Sequence, residues 1–185
     1  MVHELEKEYG LKANELLDAI SKRFRLKVAL EGAVAEVHLQ KKINALQVSG
    51  MLVRNEEHDL NGYPDFTIWP SKTNKPLLVE CKNIRDEGYR TKGILIAYKV
   101  ETQKTRAAKS DPTSRYYSVN QFDILAVCLG KNTGNWSDFL FAKTDDLAIH
   151  NKYPQKLAVM HRVPLPTSLS ISPWYRSLDE LLATI

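Results

Sequence analysis

Six short apolar runs, rich in β-branched and aromatic residues, are the feature that most constrains how this sequence can fold. The runs lie at residues 51–54, 65–69, 77–82, 122–129, 139–142 and 157–160. Runs of this length and composition, bounded by turn-forming residues, are typical of buried β-strands. The sequence therefore predicts a β-sheet that occupies much of the chain after residue 50.

Helical spacing of apolar residues marks the segments around these runs. The first ~48 residues are predicted to be helical, with apolar stripes at 11–20 and about 26–46 that end at Ser49-Gly50. A further helix is predicted from about Ile94 to Lys109, ended by Pro112, and a short one from Ser177 to Thr184. This order predicts an α/β fold of three layers, with a central mixed sheet flanked by helices.

The size of the chain and its two cysteines narrow the class of protein. We expect 185 residues to form a single domain, with a helical N-terminal part at 1–48. No stretch reaches the ~20 apolar residues that a membrane span needs. Cys81 and Cys128 lie in apolar runs without ligand-spaced Cys or His neighbours, which favours reduced core thiols in a cytoplasmic protein over a zinc site or a disulfide framework.

Positive charge is concentrated in one segment. Between Arg85 and Arg115 there are eight basic residues and four acidic ones, a surplus equal to the net charge of +4 of the whole chain. A solvated helix face explains such a segment when it stands alone, whereas a polyanion partner explains it beside a catalytic site. The following motif favours the second interpretation.

The motif consists of Pro64-Asp65, fourteen further residues, and then Glu80-Cys81-Lys82. Because side chains alternate along a strand, Glu80 and Lys82 project from one face. A loop at 71–76 lets the two strands pair as a hairpin, so Asp65 is predicted to lie beside Glu80. The structural alternative is that Asp65 only opens a strand after a turn and that Glu80 and Lys82 form an exposed ion pair.

Two carboxylates and an ammonium group at one end of a sheet suit the hydrolysis of phosphodiesters. Asp65, Glu80 and the backbone carbonyl of Cys81 offer hard oxygen ligands for Mg²⁺, with Mn²⁺ as a substitute. Such a metal polarises the phosphoryl oxygen and lowers the pKa of a bound water. Lys82 is predicted to orient that water or to stabilise the transition state.

These residues resemble the motif of the PD-(D/E)XK nuclease superfamily, whose members include most restriction endonucleases. The resemblance is specific over roughly Glu31 to Arg106, and it implies a restriction-endonuclease-like fold with a catalytic core at about 31–130. It also implies Mg²⁺-dependent cleavage of double-stranded DNA, by an endonuclease of a type II-like restriction system. A homodimer is compatible with it, since two sites would cut both strands.

Two further residues are supporting candidates for the active site. Glu36 lies in a largely apolar helical stripe, and the resemblance implies that it binds the metal directly or through water. A glutamate paired with Lys or Arg at the edge of the stripe is the alternative. Gln103 is predicted to point inward from the 94–109 helix. The resemblance implies that it touches the active site, and a buried structural glutamine is the alternative.

The candidates for DNA contact are Lys104, Arg106, Lys109 and Arg115, because their segment mixes cations, hydroxyl groups and aromatic rings. The polar stretch from Asn83 to Gly93 is predicted to be a loop, either mobile over the substrate or a plain surface loop. The five histidines show no nucleophile–base or metal-ligand spacing and are predicted to be structural.

Several alternative functions share the same bulk properties. A repair or recombination nuclease would use the same chemistry on junctions or nicks. A non-catalytic DNA-binding module would keep the fold, although an abandoned site need not retain all of Asp65, Glu80 and Lys82. A nuclease domain of a mobile element or phage-defence protein is the third alternative.

Overall fold

A computed structural model describes residues 2–60, 62–104 and 110–185 of the chain. The chain divides into two compact units, residues 1–34 and 35–185. The boundary falls inside helix α3 (Phe24–Val48). No helix in the described part of the chain has the length and apolar character to cross a membrane.

The first unit contains α1 (Glu4–Tyr9), α2 (Ala13–Ser21) and the start of α3. His3 caps α1, because its ring Nδ1 accepts a hydrogen bond of 3.2 Å from the backbone N–H of Leu5. The carboxylate of Glu6 accepts from the backbone N–H groups of His3, at 2.7 Å, and Ala13, at 2.9 Å. Helices therefore occupy most of residues 4–48.

Among the described residues of the second unit, seven strands form one mixed sheet. The strands are β1 (Leu52–Glu57), β2 (Phe66–Pro70), β3 (Leu77–Thr91), β4 (Ile94–Glu101), β5 (Ile124–Cys128), β6 (Phe139–Lys143) and β7 (Met160–Val163). β3 pairs antiparallel with β2 and β4 and parallel with β5. The short helices α4 (Gly130–Thr133) and α5 (Leu178–Leu182) follow β5 and β7, and the predicted mixed sheet with flanking helices is confirmed.

Alternating side chains of the buried strand β5 divide the core into the two sides of the sheet. Ile124, Ala126 and Cys128 pack with α5 and with the α3 residues Ala35, Leu39 and Ile43. Leu125 and Val127 belong to a second cluster, which contains residues of β4, β7 and the connecting segments around Tyr117, Phe122 and Trp174. The part of α3 from Ala35 onward therefore covers one face, and connecting segments cover much of the other.

The predicted helix at 94–109 is wrong over its described part. Residues Ile94–Glu101 form β4, and residues 105–109 lie outside the described residues. Thr91 pairs with Ile94, so Lys92 and Gly93 make a two-residue turn in which both φ angles are positive, 50° and 80°. Two consecutive positive φ angles are the geometry of the type I′ turn that matches the twist of a hairpin. The turn therefore directs the following residues into antiparallel pairing.

Two other boundaries also differ from the sequence prediction. Residues 83–91 are not a loop, because β3 continues through them to Thr91. Gly88 permits this continuation, since a Cβ atom there would stand 2.7 Å from the backbone oxygen of Ala97. The last predicted strand, at 157–160, lies later, at Met160–Val163, where it pairs with β4.

Candidate active site

The pairing of β2 with β3 brings Asp65 and Glu80 together. Phe66 stands opposite Val79, so Asp65, directly before β2, lies next to Glu80. The Oδ2 atom of Asp65 accepts a hydrogen bond of 2.7 Å from the backbone N–H of Cys81. The predicted hairpin thus holds the Asp65 carboxylate against the segment that carries Glu80 and Lys82.

Glu80 is buried, and two side chains donate hydrogen bonds to the same oxygen of its carboxylate. One donor is the ammonium group of Lys82, on the same face of β3, and the other is the hydroxyl group of Tyr117. The ammonium group of Lys82 also donates to the backbone carbonyl of Cys81, at 3.1 Å. Glu80 is therefore fixed from two directions. The backbone carbonyl of Cys81, which was predicted to be a metal ligand, accepts a hydrogen bond from Lys82.

Burial and neighbouring charge shift the pKa values of this cluster. Burial, with the nearby Glu80 carboxylate, raises the pKa of Asp65 to about 7, although Lys82 opposes the shift. Burial alone would lower the pKa of Lys82, but the charges of Glu80, Tyr117 and Asp65 raise it above its usual value. Burial also raises the pKa of Tyr117. The site therefore combines a permanently charged ammonium group with a carboxyl group that titrates near neutral pH.

The cluster forms the floor of an open cleft of about 670 Å³. Glu36 of α3 also lines this cleft, and burial raises the pKa of its carboxyl group. The negative charges of Glu57, Glu80 and Asp59 act on Glu36 in the same direction, whereas Lys82 lowers its pKa. The structure thus brings Glu36 to the predicted site, where three other carboxylates and one ammonium group act on it.

Several residues of the cleft were not predicted to belong to the site. Asp59, Tyr63 and Tyr117 line it, and so does His58, which sequence reasoning treated as structural. The ring Nε2 of His58 lies 2.8 Å from the hydroxyl oxygen of Thr67, and its backbone N–H donates to the carbonyl of Asp65. His58 therefore supports the start of β2 as well as lining the cleft. Only its nearness in sequence to Asp65 could have indicated this position.

Gln103 does not occupy the predicted place. It follows β4 instead of lying on a helix, and it forms an isolated β-bridge with Tyr116. Its amide nitrogen donates to the carboxylate of Glu101, which Arg85 also contacts. The strand conformation places Gln103 among the polar groups at the end of β4, and it is not among the residues that line the cleft.

The predicted DNA contacts fall into two groups. Lys104 lines the cleft, and the Nε atom of Arg115 donates to the backbone carbonyl of Lys104 at 3.1 Å. Arg106 and Lys109 lie outside the described residues. Arg115 thus braces the segment that places Lys104 at the cleft.

The donor atoms of the cleft fit one class of metal better than others. The described residues contain no preformed group of three or more His, Cys, Asp or Glu side chains able to hold a metal ion. A structural zinc site needs such a closed set, whereas Mg²⁺ is commonly bound by one or two carboxylates together with waters and substrate phosphates. Asp65 and Glu80, side by side at an open cleft, fit the second description.

The chain has no match in sequence among known proteins but is similar to solved structures. No protein-family model matches the chain, and no characterised protein matches it in sequence. Among solved structures, the chain is similar to the bacterial homing endonuclease I-Ssp6803I, with 15% sequence identity and a TM-score of 0.49. The similarity covers 78% of this chain and 83% of that one. The function is therefore inferred from the residues of the cleft.

Proposed function

We propose that this protein is a Mg²⁺-dependent endonuclease that hydrolyses phosphodiester bonds of double-stranded DNA, as a type II-like restriction endonuclease of the PD-(D/E)XK superfamily. The observation that carries the proposal is the contact set on β2 and β3. Asp65 lies beside Glu80 through its hydrogen bond to Cys81, and Lys82 contacts Glu80 on the floor of an open cleft. Two acids and a lysine in this arrangement suit phosphodiester hydrolysis.

Each residue has a distinct task in this proposal. Asp65 and Glu80 would hold Mg²⁺, and Glu36 would bind it directly or through water. When bound, the metal supplies Lewis-acid polarisation of the phosphoryl group and a water of lowered pKa. The ammonium group of Lys82 stays charged next to Glu80, and it stabilises the negative charge that develops on the reacting phosphate.

The remaining groups orient these acids. The backbone N–H of Cys81 fixes one oxygen of Asp65, and the hydroxyl group of Tyr117 and the ammonium group of Lys82 fix one oxygen of Glu80. A carboxylate held by hydrogen bonds keeps its other oxygen directed at a ligand. Preorganisation of both acids is therefore built into the paired strands and the segment that carries Tyr117.

The first test compares cleavage of supercoiled plasmid and phage genomic DNA in Mg²⁺ and in EDTA. We expect cleavage in Mg²⁺ or Mn²⁺, none in EDTA, and none from the Lys82→Ala variant. Discrete bands support a restriction enzyme, whereas nicking or junction cleavage supports a repair nuclease. Cleavage that persists in EDTA, or in an Asp65→Ala variant, would refute the proposed site.

A change at Tyr117 tests the orientation of Glu80. Tyr117→Phe is expected to lower the cleavage rate about ten-fold and to raise the Mg²⁺ concentration needed for half-maximal rate, because Glu80 loses one of its two donors. The lost hydrogen bond should also lower the free energy of unfolding by about 1–2 kcal/mol. Rates measured across a Mg²⁺ titration, with thermal unfolding, check both effects.

The matched control is Tyr98→Phe, which alters a tyrosine of the same core cluster that does not line the cleft. This variant is expected to keep the wild-type Mg²⁺ dependence. An equal change in Mg²⁺ dependence in both variants would contradict a specific role for the Tyr117 hydroxyl group.

A further inference from the structure

Strand β3 continues well beyond the cleft and leads into a second part of the sheet. Its residues Ile84–Thr91 pair with β4, and β4 pairs with β7. We name these three paired segments the basic ribbon. Tyr89 follows Lys82 by seven residues, and the pairing of β3 with β4 is irregular between Ile84 and Gly88. The ribbon is thus a direct extension of the strand that carries Glu80 and Lys82.

One face of the basic ribbon is buried, and this settles which side chains face outward. Tyr98 and Val100 of β4 are buried, as are their partners Val163 and His161 of β7. Because side chains alternate along a strand, Lys99 projects from the opposite face. That face is also opposite to the side chains of Glu80 and Lys82, since these alternate in step with Ile84, the partner of Val100. Arg162 is its direct partner on β7 and is exposed.

The outward face presents two cations around an aromatic ring. The ammonium nitrogen of Lys99 lies 5.0 Å from the centroid of the Tyr89 ring, and the guanidinium carbon of Arg162 lies 5.7 Å from the same centroid. Contacts at this distance hold both cations in place through cation–π attraction. The two cationic heads therefore stand side by side on the ribbon surface.

Like charges directly opposite each other on neighbouring strands destabilise a sheet. Two of the carboxylates near this pair are engaged by other groups, Glu101 by Arg85 and Gln103, and Asp86 by Lys131. Across the described residues, no carboxylate forms an ion pair with Lys99 or Arg162. An uncompensated cation pair that the fold holds in place is suited to an external anion.

We propose that the basic ribbon binds the phosphate backbone of duplex DNA at a surface outside the cleft, with Lys99 and Arg162 as its phosphate contacts. The proposal rests on the proposed nuclease function. Exposed Arg90 and Lys92 extend the same positive charge to the tip of the hairpin.

The test is binding of the intact protein to a duplex of about 30 base pairs, in EDTA, across a salt titration. The Lys99→Gln/Arg162→Gln variant is expected to bind about ten-fold or more weakly near 0.1 M salt, because two phosphate contacts are lost. The slope of log affinity against log salt should fall by about two. Thermal stability should be unchanged or higher, because the like-charge pair is gone.

The matched control is Lys72→Gln/Lys75→Gln, which removes two exposed positive charges from the loop at the other end of β3. Lys75 precedes Lys82 by as many residues as Tyr89 follows it. This variant is expected to bind nearly as tightly as the wild type. Equal weakening of both variants would show a general charge effect and overturn the proposal.

Two other outcomes would also overturn it. The first is wild-type affinity in the Lys99→Gln/Arg162→Gln variant, and the second is no measurable binding of duplex by the wild-type protein. The plasmid assay separates this result from the nuclease proposal. If cleavage needs Lys82 but the Lys99→Gln/Arg162→Gln variant binds DNA as tightly as the wild type, only the ribbon proposal is refuted. If that variant binds more weakly but the wild-type protein cleaves no DNA, only the nuclease proposal is refuted.

Discussion

Replacing Lys82 with methionine is expected to lower the rate of DNA cleavage by about three orders of magnitude. Methionine keeps much of the aliphatic volume of lysine but removes the ammonium group that contacts Glu80 and faces the cleft. Loss of a preorganised charge from a reacting centre has effects of about 10²–10³ in rate, and displacement of Glu80 adds to them. Single-turnover cleavage at saturating protein measures the chemical step directly.

The same change also affects stability, and this must be separated from chemistry. Lys82→Met leaves the buried carboxylate of Glu80 without its cation, so unfolding should become easier, by up to about 3–5 kcal/mol. A Glu80→Gln/Lys82→Met double variant removes the unpaired charge. We expect it to recover most of the lost stability and none of the activity. If the double variant instead recovered cleavage together with stability, Lys82 would be shown to stabilise the fold without taking part in the reaction.

Lys143→Met is the control for this prediction. Lys143 is also a partly buried lysine, at the end of β6, where its ammonium group donates to the backbone carbonyl of Thr184. It is not among the residues that line the cleft. The Lys143→Met variant should cut DNA at close to the wild-type rate, and a comparable loss in both variants would contradict the assignment.

The core of the candidate site could be predicted because it depends on local geometry. Strand alternation placed Glu80 and Lys82 on one face, and a short loop allowed Asp65 to pair beside them. The structure confirms these placements, and it also brings Glu36 to the cleft. The chemical roles of these four residues stay predictions until cleavage is measured.

The predicted helix at 94–109 failed because its pattern fits two periods. Ile94, Ile96, Tyr98 and Val100 alternate as in a strand, while Ile96, Val100 and Gln103 also share a helical face. β-branched and aromatic residues favour the strand. The deciding feature is the turn at Lys92 and Gly93, where two positive φ angles start a hairpin. Without that turn the apolar pattern alone does not distinguish the two structures.

Tyr117 and Asp59 could not be predicted because long-range packing brings them to the cleft. Tyr117 lies 37 residues after Glu80, and the segment that carries it folds back over the second core cluster beside Phe122. Sequence spacing holds no information about a contact of this kind. The residues that orient the site are thus harder to find from sequence than the residues that form it.

Replacing Asp65 with asparagine is expected to abolish cleavage and, at pH 8 without metal, to stabilise the fold. Burial and Glu80 raise the pKa of Asp65 from 3.8 to about 7, so the folded state binds its proton more tightly than the unfolded chain. At a pH well below 4 the carboxyl group is protonated in both the folded and the unfolded state, and it then has no effect on the free energy of unfolding. As pH rises from about 4 to 7, the wild-type protein loses stability, and above pH 7 the loss is complete.

Asparagine has no charge to desolvate, and its side-chain oxygen can still accept from the backbone N–H of Cys81. The free energy of unfolding should therefore rise by on the order of 1–3 kcal/mol at pH 8 and change little at pH 4. Thermal unfolding of both proteins across this pH range measures the difference. Added Mg²⁺ should stabilise the wild type more than the variant, because the metal binds the ionised carboxylate.

Asp123→Asn is a closely matched control. Asp123 also accepts a hydrogen bond from a backbone N–H of β3, that of Leu78 at 2.7 Å, but it is exposed and away from the cleft. This variant should neither gain stability at high pH nor lose activity. If Asp65→Asn raises the stability of the protein at pH 8 and also abolishes cleavage, the carboxylate of Asp65 serves chemistry and not folding. A loss of stability in Asp65→Asn that is equal at pH 4 and pH 8 would instead identify Asp65 as a structural residue of the hairpin.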